Sequence, residues 1–213
     1  MPRKITDGPV RNKERTKERV IASVGQILKK HGFSGLNITR VASMAKVDRR
    51  LIYDYFGGLE GVLREYLNAN DYWKINPENL NDLLEKSKAD YGKSLSNSVL
   101  QDQLESLMAN EEMRRIITWG LSEKLPELKE LDLKREHAGE AVFKGVIDEH
   151  FAQSNLNFRA IYALLMGGVY YLTLHSRMQE NPFCGIDLQE KEGREAIKRA
   201  IKQVIDAAYA EAD

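Results

Sequence analysis

Residues 46–55 read Lys46-Val47-Asp48-Arg49-Arg50-Leu51-Ile52-Tyr53-Asp54-Tyr55, and their side chains are suited to grip an anion and read a base edge. An arginine fork donates two hydrogen bonds to guanine O6 and N7, or clamps a phosphate. Arg49 and Arg50 stand side by side, and Tyr53 and Tyr55 add hydroxyls at a spacing suited to backbone phosphates. Leu51 can meet a thymine methyl. Upstream, Thr39 and Arg40 open a short apolar stretch whose helix N-terminus would favour the adjacent phosphates. Arg11, Lys13, Arg15, Lys17 and Arg19 would add charge on the flank. The two arginines alone would fit an ordinary solvated helix end. Together with the caps, the turn and the regional charge, they predict a site for double-stranded DNA.

These groups need a frame. Asn37 is a good N-cap for a helix over 38–45 with Ile38, Val41, Ala42 and Ala45 on its inner face. Lys46-Val47 makes a tight turn. Asp48 caps a second short helix, with Leu51 or Ile52 and Phe56 available to the core. Two short helices joined by such a turn form a helix-turn-helix, whose second helix enters the major groove.

Periodicity along the rest of the chain is helical, with apolar residues at i, i+3, i+4 and i+7. Val20, Val24, Ile27 and His31 share one face; Leu59, Val62, Leu63, Tyr66 and Leu67 share another. The run Gly139, Val142, Phe143, Val146, Ile147, His150, Phe151 and the run Ile197, Ile201, Val204, Ile205, Ala208 repeat the pattern. Strand signals are nearly absent. The spacing predicts an all-α chain with helices near 13–31, 38–45, 48–55, 59–74, 78–93, 96–123, 127–152, 157–179 and 188–211. A break near Asn110 would divide the sixth. Composition changes at Gly57-Gly58, which predicts an N-terminal domain over 1–58 and a larger one over 59–213.

Lys+Arg and Asp+Glu balance at 32 each, yet residues 1–66 carry a net +7 and residues 67–213 a net −7. A basic N-terminal third points to an anionic partner. Hydrophobic residues make up 42% of the chain and charged ones 30%, which excludes bulk disorder. Cys184 is the only cysteine, so no intrachain disulfide forms and a cytoplasmic location is predicted. No apolar run follows Met1-Pro2-Arg3-Lys4, as a secretory leader would require. The apolar run over 160–174 is too short for a membrane span, so no membrane partner is expected.

No hydrolase, phosphate-loop, zinc or dinucleotide motif occurs, so neither an enzyme nor a cofactor is predicted. Cys184, in an expected loop after Pro182-Phe183, reads as a bystander, and Glu136, His137 and Glu140 as charged helix surface rather than a metal site.

The stretch over 13–67 resembles the DNA-binding domain of the TetR family of transcriptional regulators. The matching features are Gly32-Phe33, Val41-Ala42, Val47 and Ile52-Tyr53-Asp54-Tyr55-Phe56. The resemblance implies a homodimeric regulator, most often a repressor, on a roughly palindromic operator released by a small-molecule inducer. Three positions depart from the family pattern. Lys46 replaces the turn glycine, at roughly 1 kcal/mol if φ is positive, and adds a cation facing DNA. Asp48 replaces the usual serine cap. Leu59 replaces the lysine that opens the next helix and grips phosphate.

Beyond residue 67 no motif is as specific. Tyr72, Trp73, Tyr91, Met108, Met113, Trp119, Phe143 and Phe151 read singly as core and together as enough surface to line a pocket. By analogy with the family, an inducer pocket is expected among residues 91–175, near Met108, Trp119, Phe143 and Tyr170, with Arg115, His137 and His175 as polar handles. The helix over 157–179 is apolar on most faces and needs burial on more than one side. Tyr162, Leu165, Gly167, Gly168 and Tyr171, with Ile197, Ile201 and Ile205 from the last helix, form the expected dimer seam. The alternative reading is a helical enzyme or small-molecule carrier with an incidental basic N-terminus.

Overall fold

A computed structural model describes residues 9–71, 77–179 and 181–212, with side chains from residue 13 onward and, past Pro77, from Leu80. Tyr72, Trp73 and the Arg11 side chain lie outside the described residues. Among those described, the architecture is all-α; the only bridge pairs Phe183 with Ile186. Contacts cluster into two compact units, residues 1–71 and 72–213.

The first unit holds α1 (Pro9–His31), a 3-10 turn (Phe33–Gly35), α2 (Ile38–Ala45), α3 (Arg49–Phe56) and α4 (Leu59–Asn70). Val20, Val24, Ile27 and Leu28 of α1 form the buried stripe. His31 is exposed instead of sharing that face, because Leu28 completes it one turn earlier. Val41, Ala42 and Ala45 of α2, Ile52 of α3, and Val62, Leu63, Tyr66 and Leu67 of α4 close the core. The choice left open between Leu51 and Ile52 falls to Ile52, which is fully buried. α4 packs on α1 and α3, so it belongs to this unit. Gly61 permits the α3–α4 corner: a Cβ there would sit 1.8 Å from the Phe56 carbonyl oxygen.

The second unit holds α5 (Pro77–Ser87), a 3-10 turn (Lys88–Asp90), α6 (Lys93–Ala109), α7 (Glu111–Ser122), α8 (Pro126–Val142), a π turn (Phe143–Ile147), α9 (Asp148–Phe151), α10 (Phe158–Met178) and α11 (Lys191–Ala212). α6 is the central helix, packed on α10 and α11. Leu100, Leu104 and Leu107 meet Val169, Ile201, Ile205 and Tyr209 in one core.

Several boundaries differ from the spacing: α1 already begins at Pro9, and α4 ends at Asn70, short of the expected 74, where Asp71 turns extended. The helix expected over 78–93 ends at Ser87, because Tyr91 and Gly92 both turn left-handed. α6 therefore starts at Lys93, and a Cβ at Gly92 would meet Ile147 at 2.8 Å. Asn110 divides the long segment as expected: its side chain accepts from the Glu112 and Met113 amides. The helix expected over 127–152 contains a π turn, which shifts the phase of its apolar stripe. α11 begins at Lys191 rather than near 188, with Leu188 buried ahead of it.

Candidate functional site

The first candidate site is the α2–turn–α3 segment. The Asn37 side chain accepts from the Arg40 amide at 2.9 Å, which starts α2. Lys46 ends it at φ 53° and ψ 51°, so the lysine takes the left-handed conformation that favours glycine. Its amide donates to Ser43 O and the Val47 amide to Ala42 O, at 3.2 and 3.0 Å. Asp48 then caps α3, accepting from the Arg50 amide at 2.7 Å.

With the turn anchored, the outward side chains are set. Thr39, Lys46, Arg49 and Arg50 are exposed, and Tyr53 is 57% exposed. Leu51 and Tyr55 are half-buried. The Lys13 ammonium lies over the Tyr55 ring, 5.1 Å from its centroid, which ties the flanking cation of α1 to α3. Besides Tyr55, two of the nine expected contact residues spend side-chain hydrogen bonds within the fold. Asn37 Oδ1 is used by its cap, and Arg40 Nη1 donates to Gly35 O, holding the 3-10 turn. Met44, 39% exposed near the end of α2, was not expected, since its spacing carried no chemical signal. Leu59 is half-buried where a phosphate-gripping lysine would be exposed.

The second candidate site lies within the larger unit. A cavity of about 440 Å³ is lined by Leu80 and Leu83 of α5, Leu95, Ser96, Ser98, Val99 and Asp102 of α6, Ala138, Gly139 and Val142 of α8, Phe143 and Ile147 of the π turn, and Tyr162 of α10. Phe143 and Tyr162 meet edge to face, their ring centroids 5.6 Å apart. A second cavity of about 320 Å³ shares Gly139, Phe143 and Tyr162 and adds Arg135, Arg159, Met166 and Tyr170. A third, of about 670 Å³, runs along α7 and α8 and also reaches Tyr170.

Arg159 straps the π turn. Its Nε and Nη2 donate to the two Asp148 carboxylate oxygens at 3.0 and 2.7 Å, and its Nη1 pairs with Glu140 at 2.5 Å. The guanidinium carbon lies 4.7 Å from the Phe143 ring centroid. Hydrogen bonds from Arg159 and then Lys144 hold the Glu140 carboxyl down at about 2. Hydrogen bonds to Asp148 and then Glu140 raise the Arg159 guanidinium above its ordinary value.

Of the seven expected ligand contacts, Phe143 and Tyr170 line cavities. Met108 is core, and its carbonyl accepts from Arg114 and Arg177. Arg115 pairs with Glu111 at 2.6 Å, and His137 is exposed on α8. His175 packs against Tyr171 and Phe183, and half-buried Trp119 lines none of these three cavities. The missed residues on α6 had a signal: Leu95, Val99 and Asp102 stand at i, i+4 and i+7.

The expected seam needs correction. Ile201 and Ile205 are 3% and 0% exposed, because the α11 stripe covers α6, so neither is available to a second copy. Ile197 packs partly buried beside them, and Tyr162 and Leu165 pack against the same core. Gly167 and Gly168 remain open: a Cβ on either meets no atom within 4 Å. Tyr171 is 51% exposed, flanked at seven-residue spacing by exposed Leu164 and Met178. That spacing was legible, but it competes with a second apolar face on the same helix.

No described helix is long and apolar enough to cross a membrane, and among the described residues no cluster of three His, Cys, Asp or Glu could hold a metal.

No family model and no curated protein matches the sequence. Solved structures do match its fold. NalD, the secondary repressor of the MexAB-OprM multidrug efflux pump in Pseudomonas aeruginosa, superposes with a TM-score of 0.62 at 19% identity, covering 92% of this chain and 96% of NalD. A TetR family transcription regulator from Marinobacter aquaeolei gives 0.61 at 11% identity, over 92% and 97% of the two chains. The transcriptional regulator FadR from Bacillus subtilis, solved in complex with stearoyl-CoA, gives 0.57 at 14%, over 88% and 96%. This chain therefore shares the fold of these proteins over nearly its whole length.

Proposed function

We propose that the chain is a ligand-responsive, DNA-binding transcriptional regulator of the TetR type, acting as a cytoplasmic homodimer and most simply as a repressor. The observation that carries this reading is the pair Arg49 and Arg50, exposed at the start of a capped recognition helix within that fold. The net +7 of residues 1–66 supplies the long-range attraction.

Two recognition helices of a two-fold dimer would meet half-sites about 34–36 Å apart, or a multiple of that, so the operator is roughly palindromic. The dimer contact is assigned to the outer face of α10, at Leu164, Gly167, Gly168 and Tyr171, where exposed apolar side chains alternate with glycine. The inducer is assigned to the cavity bounded by Phe143 and Tyr162. A ligand that prefers a dimer whose heads no longer match successive grooves lowers operator affinity by the coupling free energy.

Selection of bound fragments from random duplexes, followed by salt titration, tests this reading. Half-sites at a fixed spacing and a steep fall of affinity with salt are expected. Arg49→Ala and Arg50→Ala should each cost about 1–3 kcal/mol on the selected site and much less on random duplex. A chain that recovers no common sequence, or binds duplex without salt dependence, refutes the proposal and leaves a carrier or enzyme as the reading.

A further inference from the structure

The cavity beside the Phe143–Tyr162 pair has a charge pattern that selects among ligands. Its walls are mostly hydrocarbon, with polar side chains at Ser96, Ser98 and Asp102, and about 440 Å³ falls within the range of roughly 300–1,000 Å³ common for small-molecule sites. Among the described lining residues Asp102 is the only charged one. Asp102 makes no ion pair or hydrogen bond with any described residue, and among the described residues no lysine, arginine or histidine lines the cavity.

Arg159, on the far side of Phe143, is already committed to Asp148 and Glu140 and stacked on the ring. The adjoining cavity that shares Phe143 and Tyr162 carries three carboxylates, Asp132, Glu136 and Glu140, against Arg135 and Arg159. Among the described residues, an anionic head group would therefore find no uncommitted cation at the apolar cavity. It would lose hydration without gaining a partner, beside the like charge of the Asp102 carboxylate. A cationic head group meets the reverse situation.

We propose that this cavity takes an apolar molecule ending in a single cationic group, seated so that the cation meets the Asp102 carboxylate. The inference rests on reading the cavity as the ligand site of a regulator, and it deepens that reading by naming the ligand class. A long-chain acyl anion is the class it excludes.

The test uses the full chain and three probes with one tail and different heads: decylammonium, decanol and decanoate. Each is titrated calorimetrically at neutral pH below its micelle concentration, into the wild type and into Asp102→Asn. Asp102 is exposed at the cavity rim, so the substitution leaves the core untouched. Decylammonium should bind about tenfold more tightly than decanol, equivalent to about 1.4 kcal/mol, and decanoate more weakly than decanol. In Asp102→Asn the ammonium should fall to within about twofold of decanol, with decanol itself unchanged.

Decanoate binding most tightly would overturn the proposal, as would an ammonium preference that survives Asp102→Asn or the failure of all three probes to bind. Duplex affinity, measured in the same samples, reads the regulatory proposal separately. A chain that shows the expected preference yet keeps its duplex affinity would remove the inducer role and leave the cation preference standing.

Discussion

Replacing Lys46 with glycine should strengthen the fold and weaken DNA binding at once. Lys46 sits at φ 53° and ψ 51° with its side chain exposed, and its amide bond to Ser43 O does not involve the side chain. A left-handed conformation costs an L-residue about 1–2 kcal/mol that glycine avoids. Glycine gives back about 0.5–1 kcal/mol through its greater freedom in the unfolded chain. The net expectation is a stabilisation of roughly 0.5–1 kcal/mol. Urea unfolding followed by circular dichroism should show the midpoint of the transition that melts α2 and α3 rising by about a few tenths of a molar.

On DNA the same change removes one cation from each protomer. If Lys46 neutralises one phosphate per half-site, the slope of log affinity against log salt becomes shallower by about 0.9 per protomer. Lys46→Arg serves as the control, since it keeps both the charge and the strain. A lower urea midpoint for Lys46→Gly would show that the lysine stem packs usefully and that the strain argument is wrong. An unchanged salt slope would remove Lys46 from the phosphate contacts.

Other outcomes follow from single positions. Gly61→Ala should destabilise the first unit by about 1–3 kcal/mol, since its Cβ would press on the Phe56 carbonyl and force the α3–α4 corner open; amide exchange in α3 reads this directly. Leu164→Glu should convert a dimer to monomer in sedimentation with little change in thermal stability, while Ile205→Ala should cost about 2–5 kcal/mol of stability through a core cavity; the opposite pattern would return the seam to α11. The Glu140 carboxyl is held at about 2, below its ordinary 4.5, so its contribution is complete above about 4.5 and is lost as pH falls through about 2. Arg159→Ala should therefore unfold more readily than the wild type at neutral pH, with the gap narrowing as pH drops through that window. A gap that stays constant down to pH about 2 would mean that the strap contributes nothing through its charge.

Legibility differed between the two ends of the chain for a physical reason. Asn37, Lys46, Asp48 and Gly57 act on backbone groups within a few residues of themselves, so caps, turn and both short helices were readable from residue type and spacing. The second unit depends on partners far apart in sequence. The apolar stripe of Ile197, Ile201 and Ile205 announces burial in the same way whether the cover is α6 or another copy, and in this chain the cover is α6. The π turn at Phe143–Ile147 carries no composition signal, yet it places Phe143 and Ile147 on the cavity wall.

The residue string was enough to indicate an all-helical chain and a basic head with a capped helix-turn-helix, because each is a matter of local backbone preference, while the left-handed conformation of Lys46 came from the structure. Packing chose which apolar faces look inward, that Asp102 is the only charged group among the described residues lining its cavity, and that Leu164 is exposed while Ile205 is buried. A helix can signal that one side must leave water, but which surface receives it depends on how distant segments come together.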